Sequence, residues 1–473
     1  MNTITLPTSE LKSALHGLGK IIGKRSTLPV LQHVRISKND GKVTLQASDL
    51  DAFATYTMTL VQPGKSMEAL VPYEQLSKAS KCSKKEDVTM LSDGKNTRLR
   101  YYIAGNPIEQ PVNGASVQEW PPAPNITAET TVMEPGFGGA LRQAMECCST
   151  DPSRVTLNGA CLDANDAKAH YVVATNGRML YAANTFHFNI KDHVIVPNSR
   201  FITGSDLLDA ECSFAVQSGK KPDDAKHICL KNDRWEYIVR EVQGKFPNWK
   251  QVLPVVNAGW TKVQLLPTAV DQLLKVIPNL PGRDGDTNTI RLCLERMLRV
   301  EAKNKEDADW TKVSICEVDL IGKPKTICVN RDYLVPALKF GLTELAVLDD
   351  LSPMVAMKSG KVMVIMPVRP TALTTNAAPS PASPTPTTPE ERKDMPRTPK
   401  IQTPTSENQP AQGSALKTVI DQVEKMRESL KTMVQGFGDV TNALKLAEKE
   451  KKAQEKEIET VRASVRRIQS VSI

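Results

Sequence analysis

Three times along the chain a short apolar run passes straight into a helix-like pattern. The three stretches are Ala69-Leu70-Val71-Pro72-Tyr73-Glu74-Gln75-Leu76, Val194-Ile195-Val196-Pro197-Asn198-Ser199-Arg200-Phe201 and Ile327-Cys328-Val329-Asn330-Arg331-Asp332-Tyr333-Leu334. Their spacing of roughly 130 residues is an ordinary domain length. Three similar domains are therefore expected at 1–127, 128–256 and 257–370. In the first, Ser9 is expected to cap a helix that turns Leu11, Leu15, Leu18 and Ile22 to one face. Alternation predicts strands at 34–37, 43–47 and 53–60. A second helix starts near Tyr73, and a hairpin pairs 88–91 with 98–103 around Ser92-Asp93-Gly94-Lys95. In the second domain, a helix over 138–148 presents Leu141, Met145 and Cys148, and another after Pro197 carries Phe201, Leu207 and Leu208. In the third, the helices carry Val270, Leu273, Leu274 and Ile277, then Tyr333, Leu334 and Leu338. Each domain reads as two helices backed by antiparallel sheets, an α+β plan.

The pattern changes after Thr371. Pro379, Pro381, Pro384, Pro386 and Pro389 alternate with Ser, Thr and Ala, a composition that buries no core. Residues 371–413 are expected to be an extended, disordered linker. From 414 to 473, Leu416, Val419, Val423, Met426, Leu430, Met433, Phe437, Val440 and Leu444 follow alternating three- and four-residue steps. That heptad seam predicts a helical coiled coil, weakened at Gly436 and Gly438.

Composition narrows the chemistry. The 473 residues are 40% hydrophobic and 24% charged, as in a soluble globular protein. A formal net charge of +8 permits a polyanionic partner without requiring one. Nine cysteines occur with no CxxC pair, so buried reduced thiols are expected, with no metal and no cofactor. The N-terminal segment has neither a signal-peptide pattern nor a membrane span, which makes the cytoplasm the expected compartment. No phosphate-cradling loop, HExxH or GxSxG motif is present, and no catalytic residue is assigned. Asp49 and Asp51 are paired acids, but no His or Cys lies near them, so a turn between strands is the simpler reading.

Six segments in fixed order carry a resemblance to a known family. They are Lys24-Arg25-Ser26-Thr27-Leu28-Pro29-Val30-Leu31, Ala47-Ser48-Asp49-Leu50-Asp51, Leu157-Asn158-Gly159, Ala174-Thr175-Asn176-Gly177-Arg178-Met179-Leu180, Gly244-Lys245-Phe246-Pro247-Asn248-Trp249-Lys250-Gln251-Val252-Leu253-Pro254 and Val364-Ile365-Met366-Pro367-Val368-Arg369. Over about 1–370 the chain resembles the bacterial sliding clamp, the beta subunit of DNA polymerase III. The resemblance implies half of a closed six-domain ring, built from two copies of the chain and threaded by double-stranded DNA without regard to sequence. Such a protein is not an enzyme. It serves as a processivity factor in DNA replication.

The resemblance also assigns residues. Lys20, Lys24, Arg25, Lys78, Lys81, Arg142, Arg154 and Arg200 are the expected DNA-binding set. Cations aimed at phosphates attract any duplex, as a slider needs. The aromatic pair that some relatives carry near Arg154 is absent here. A peptide pocket for polymerase, clamp loader and repair proteins would be walled by Leu157, Thr175, Gly177, Arg178, Leu180, Pro247, Val252, Asn330, Tyr333, Val364, Met366, Pro367 and Arg369. An apolar floor of this kind suits Leu and Phe anchors. The dimer interface would join Tyr101 and Ile103, read as an edge strand, to Ile277 and Leu280. A nucleoid-associated, cytoplasmic location and no membrane partner follow from the same resemblance. Two departures stand out: Gln251 replaces an Arg found in some relatives, and the chain continues past Pro370 instead of ending beside the pocket. The extension is expected to recruit a partner or a second copy. The competing reading is a clamp-derived scaffold that acts through its coiled coil.

Overall fold

The computed structural model describes residues 2–369, apart from 24–27, 84, 94–95, 220–223, 284–287 and 305–308. One order of elements, β-α-β-β-β-β-α-β-β-β, occurs three times. The first pass comprises β1 (Asn2–Leu6), α1 (Thr8–Leu18), β2 (His33–Asn39), β3 (Lys42–Ser48), β4 (Ala52–Thr57), β5 (Met67–Pro72), α2 (Tyr73–Ser83), β6 (Val88–Ser92), β7 (Thr97–Ile103) and β8 (Asn106–Pro111). The second comprises β9 (Thr131–Val132), α3 (Phe137–Cys147), β10 (Gly159–Asp163), β11 (His170–Thr175), β12 (Met179–Phe186), β13 (His193–Pro197), α4 (Arg200–Gly204), β14 (Ser213–Gln217), β15 (His227–Lys231) and β16 (Trp235–Arg240). The third comprises β17 (Thr261–Gln264), α5 (Pro267–Val276), β18 (Thr289–Leu294), β19 (Met297–Ala302), β20 (Thr311–Glu317), an added two-residue β21 (Leu320–Ile321), β22 (Lys325–Asn330), α6 (Arg331–Lys339), β23 (Glu344–Val347), β24 (Met354–Lys358) and β25 (Lys361–Ile365).

The three joints seen in the sequence are β5 into α2, β13 into α4 and β22 into α6. At two of them the stop-and-start is local chemistry. Ser199 Oγ accepts the Phe201 N–H at 3.1 Å, and Asn330 Oδ1 accepts the Asp332 N–H at 2.7 Å. A side-chain oxygen thus satisfies an N–H that a helix start leaves open. Three expectations need correction. Ser9 is not the cap of α1; Pro7 precedes the helix and no side chain caps it. The strand expected over 53–60 ends at Thr57. The helix after Pro197 ends at Gly204, and Leu207 and Leu208 are buried beyond it in irregular backbone.

The inner strands of one pass join the outer strands of the next. β5-β2-β3-β4 continues through the antiparallel β4–β16 pairing into β16-β15-β14-β9, giving eight strands. β13-β10-β11-β12 continues through antiparallel β12–β25 into β25-β24-β23-β17-β21, giving nine. The same rule leaves β1-β6-β7-β8 and β20-β19-β18-β22 as separate four-stranded sheets, each with one seam-type edge unpaired among the described residues. The helices lie against these sheets through residues such as Leu11, Leu18, Leu141, Leu273 and Leu334, all fully buried. Each such side chain contributes about 2 kcal/mol on the usual area scale.

Among the described residues, no helix is long and apolar enough to cross a membrane. All nine cysteines are free thiols. Asp49 does sit in the turn between β3 and β4, its Oδ1 accepting the Ala52 N–H at 2.7 Å. The expected linker at 371–413 and coiled coil at 414–473 lie outside the described residues.

Candidate functional site

The pocket segments, far apart in sequence, meet at the seam between β12 and β25. The turn from β11 to β12 is Thr175-Asn176-Gly177-Arg178. Thr175 Oγ1 donates to the Met179 carbonyl at 2.6 Å and accepts the Gly177 N–H at 3.0 Å. Asn176 Oδ1 accepts the N–H groups of Arg178 and Met179 at 2.9 and 3.0 Å. Gly177 has φ +85°, a left-handed backbone that favours glycine. Across the seam Leu180 faces Val364, and the Met366 N–H donates to the Arg178 carbonyl at 2.9 Å. Pro367 bridges to Val329, and the Val368 N–H donates to the Cys328 carbonyl at 2.8 Å. These bonds bring Met366 and Pro367 beside β22, and β22 ends at Asn330, with Tyr333 in the first turn of α6. Arg178 and Arg369 are exposed.

Beneath this surface lies a compact apolar cluster of Cys161, Val173, Leu180, Ala182, Ile195, Phe246, Trp249 and Val364, with Leu157 and Leu253 packed on it. Leu180 and Val364 are almost fully buried, so they support the floor from below. Val252 and Met366, 49% and 41% exposed, are large apolar groups open at the surface here. Pro247 and Val252 ride on the segment that leads from β16 to β17, which makes a 3-10 turn over Trp249–Val252. Trp249 Nε1 donates to Asp163 Oδ2 at 2.8 Å and holds that segment down on β10. A hollow of about 640 Å³ lined by Cys161, Asp163, His193, Phe246, Pro247 and Trp249 shares Pro247 with the expected pocket. Burial, with the Asp163 charge second, raises the Cys161 thiol pKa, which keeps it neutral and unreactive.

The basic residues divide. Lys78 and Lys81 are exposed on α2, and Arg200 is exposed at the start of α4. Lys20 follows α1 and lies against α4, where a Cβ on Gly204 would meet its Nζ at 3.1 Å. Arg142 is partly exposed, and its guanidinium bonds within the chain. It pairs with Asp209 at 2.5 Å and donates to the Ser205 carbonyl at 2.9 Å, tying α3 to the segment after α4. Arg154 lies beside the turn from β11 to β12: it donates to the Asn176 carbonyl at 3.2 Å and pairs with Asp151 at 3.5 Å. Lys24 and Arg25 lie outside the described residues.

The interface residues also need correction. Tyr101 and Ile103 lie on β7, which runs inside its sheet between β6 and β8, so the edge strand is β8. Tyr101, Ile277 and Leu280 are buried within this chain, at 3%, 0% and 6% exposure. Ile103 is exposed. Asp163, Trp249 and Arg331 also hold this region together, by buried hydrogen bonds, without being among the expected site residues. The aromatic-rich Phe246-Pro247-Asn248-Trp249 is a sequence signal for Trp249, whereas no local pattern marks Asp163 or Arg331.

The family model described as "DNA polymerase III beta subunit, N-terminal domain" matches residues 2–105. The beta sliding clamp of Vibrio cholerae is 20% identical over 346 residues, covering 71% of this chain and 89% of that protein. The Pseudomonas aeruginosa DnaN sliding clamp bound to griselimycin superposes with a TM-score of 0.64 at 20% identity, covering 78% of this chain and 99% of that one. The Helicobacter pylori beta clamp bound to a DNA ligase peptide superposes with a TM-score of 0.62 at 17% identity, covering 78% and 100%. Repeated element order, seam geometry and these likenesses lead to one conclusion: the first pass matches the family of DNA polymerase III beta subunit N-terminal domains, and the whole described part has the fold of the bacterial beta sliding clamps.

Proposed function

We propose that the chain is a sliding clamp that encircles duplex DNA and keeps DNA synthesis processive, with no catalysis of its own. The observation that carries this is the pair of unmatched four-stranded sheets. In each continuous sheet the third inner strand of one pass, β4 or β12, joins the last strand of the next, β16 or β25. By that rule the free edge of β20 calls for a strand equivalent to β16 and β25, and β8 is that strand. Because β8 and β20 lie in the first and third passes of one chain, two copies satisfy both of these edges head to tail. Three domains per chain, divided near 127 and 256, then make a ring of six.

Lys20, Lys78, Lys81 and Arg200 supply a sequence-blind attraction for phosphates, joined by Lys24 and Arg25. The group around Gly177, Val252, Tyr333 and Met366 suits a short peptide with Leu and Phe anchors, as a DNA ligase peptide is bound by the Helicobacter pylori clamp. Polymerase, clamp loader and repair proteins are the proposed peptide donors. Once threaded, the ring raises the local concentration of whatever it tethers, so modest peptide affinity is enough. The proposed setting is the cytoplasm, at the nucleoid.

The test is topological. The chain, loaded onto a nicked circular plasmid with a clamp loader, should stay bound in high salt and leave when the plasmid is linearised. Equal retention on both forms would mean contact without threading.

A further inference from the structure

Arg331 is a buried cation that the pocket does not account for. It follows Asn330 and opens α6, yet only 2% of it is exposed. Its hydrogen bonds go to carbonyl oxygens. Nη1 donates to Leu280 O at 2.7 Å and Ile277 O at 3.4 Å, Nη2 to Pro281 O at 2.5 Å, and Nε to Asn288 O at 3.3 Å. Three of these carbonyls lie just past the end of α5, where the chain makes a 3-10 turn over Ile277–Asn279. A helix end of this polarity attracts positive charge, which accounts for a guanidinium buried there. Burial holds the pKa of Arg331 below the ordinary arginine value, while neighbouring Asp332 opposes the shift.

The surroundings are tied on both sides. The Arg331 N–H donates to Asn288 O at 3.0 Å, and Asn288 Nδ2 donates to Asp332 Oδ2 at 2.6 Å. The Asp332 N–H donates to Asn330 Oδ1 at 2.7 Å. Gly282, at φ +75°, passes so close to the Lys303 carbonyl that a Cβ would collide with it. Neither the segment 277–282 nor the start of α6 can shift without breaking bonds to the same planar fork, and buried carbonyls left unmet are costly.

We propose that Arg331 is a positioning residue that couples the peptide-pocket residues Asn330 and Tyr333 to the segment 277–282 at the end of α5. A ligand seated on Asn330 and Tyr333 then stiffens 277–282, and any disturbance of 277–282 weakens the ligand by the same factor, as linkage requires. The inference rests on the pocket reading above.

The experiment uses the full chain as wild type, R331M and R331K, with a fluorescein-labelled peptide ending in Leu-Phe. Anisotropy gives affinity, and hydrogen–deuterium exchange reads the amides of 277–282 with and without peptide. Wild type should show slower exchange at 277–282 when peptide binds. R331M should bind about tenfold more weakly, the loss equivalent to one buried hydrogen-bonded group, and its exchange at 277–282 should no longer respond to peptide. R331K keeps the charge without the planar fork and should fall between them. If R331M does not fold, the R331K shift in both readouts decides. Wild-type affinity together with a wild-type exchange response in a folded variant would overturn the coupling. A wild-type chain that does not bind the peptide would overturn the pocket reading, and the coupling with it.

Discussion

Trp249 and Asp163 are joined by a buried 2.8 Å hydrogen bond from the indole N–H to a carboxylate oxygen, across 86 residues of sequence. The other Asp163 oxygen accepts the backbone and side-chain N–H groups of Asn165 at 3.0 and 2.7 Å. This pins the segment bearing Pro247 and Val252 onto β10. Trp249→Phe keeps an aromatic ring, smaller than the indole, and removes the donor, leaving the carboxylate short of one partner and the buried site underfilled. It should cost about 1–3 kcal/mol in urea unfolding and also weaken peptide binding. A variant that loses stability but binds peptide normally would show that the bond supports the fold and not the pocket.

Leu180 faces Val364 across the β12–β25 seam and lies in the cluster beneath the pocket. Leu180→Ala leaves a cavity in a dry, well-packed region and should cost about 2–5 kcal/mol. The effect on peptide affinity should exceed that of an equally buried leucine elsewhere, such as Leu11→Ala in α1. Equal effects of the two substitutions on peptide binding would remove Leu180 from the pocket.

His170 is buried and accepts the Phe188 N–H at its Nδ1 at 2.8 Å, which requires the neutral ring. Burial, then the stacked His187, lowers its pKa below the ordinary value of 6.5. The unfolded chain therefore takes up this proton at a higher pH than the folded one. The contribution of His170 to stability is complete above the ordinary histidine pKa and declines as pH falls through and below it. The melting temperature should drop between neutral and mildly acidic pH, and His170→Asn should flatten that slope. An unchanged slope would assign the pH dependence to other groups.

The free edges make a prediction about assembly. Ile108 is half-buried on β8, and Val313 and Ile315 are half-buried on β20. Ile108→Asp places a charge where β8 and β20 of two copies would pair. Sedimentation velocity should show a dimer for the wild type and a monomer for this variant, with circular dichroism confirming that the variant is folded. A variant that stays dimeric would place the contact elsewhere.

The last described residues, Val368 and Arg369, lie beside the pocket, and 370–473 continue from there. A chain truncated after Arg369 should keep its dimeric state and its affinity for the Leu-Phe peptide if the extension serves another partner. Tighter peptide binding after truncation would mean that the extension competes for the pocket.

The apolar-to-helix joints and the faces of most helices were legible in the sequence because each is written in residues a few places apart, whereas the expected pocket positions came only from the family resemblance. A helical period, a capping oxygen and a glycine turn need only near neighbours. The same local signals failed at α4, where burial of Leu207 and Leu208 without a helix looks like a longer helical stripe. What tertiary structure alone decided is which distant groups face one another. It paired β4 with β16 and β12 with β25, made β8 the edge in place of β7, and set Arg142 against Asp209. It also set Arg331 among carbonyls some 50 residues away. An arginine reads as the same residue whether it meets phosphate, carboxylate or the end of a helix, and only the folded chain's choice of neighbours tells these apart.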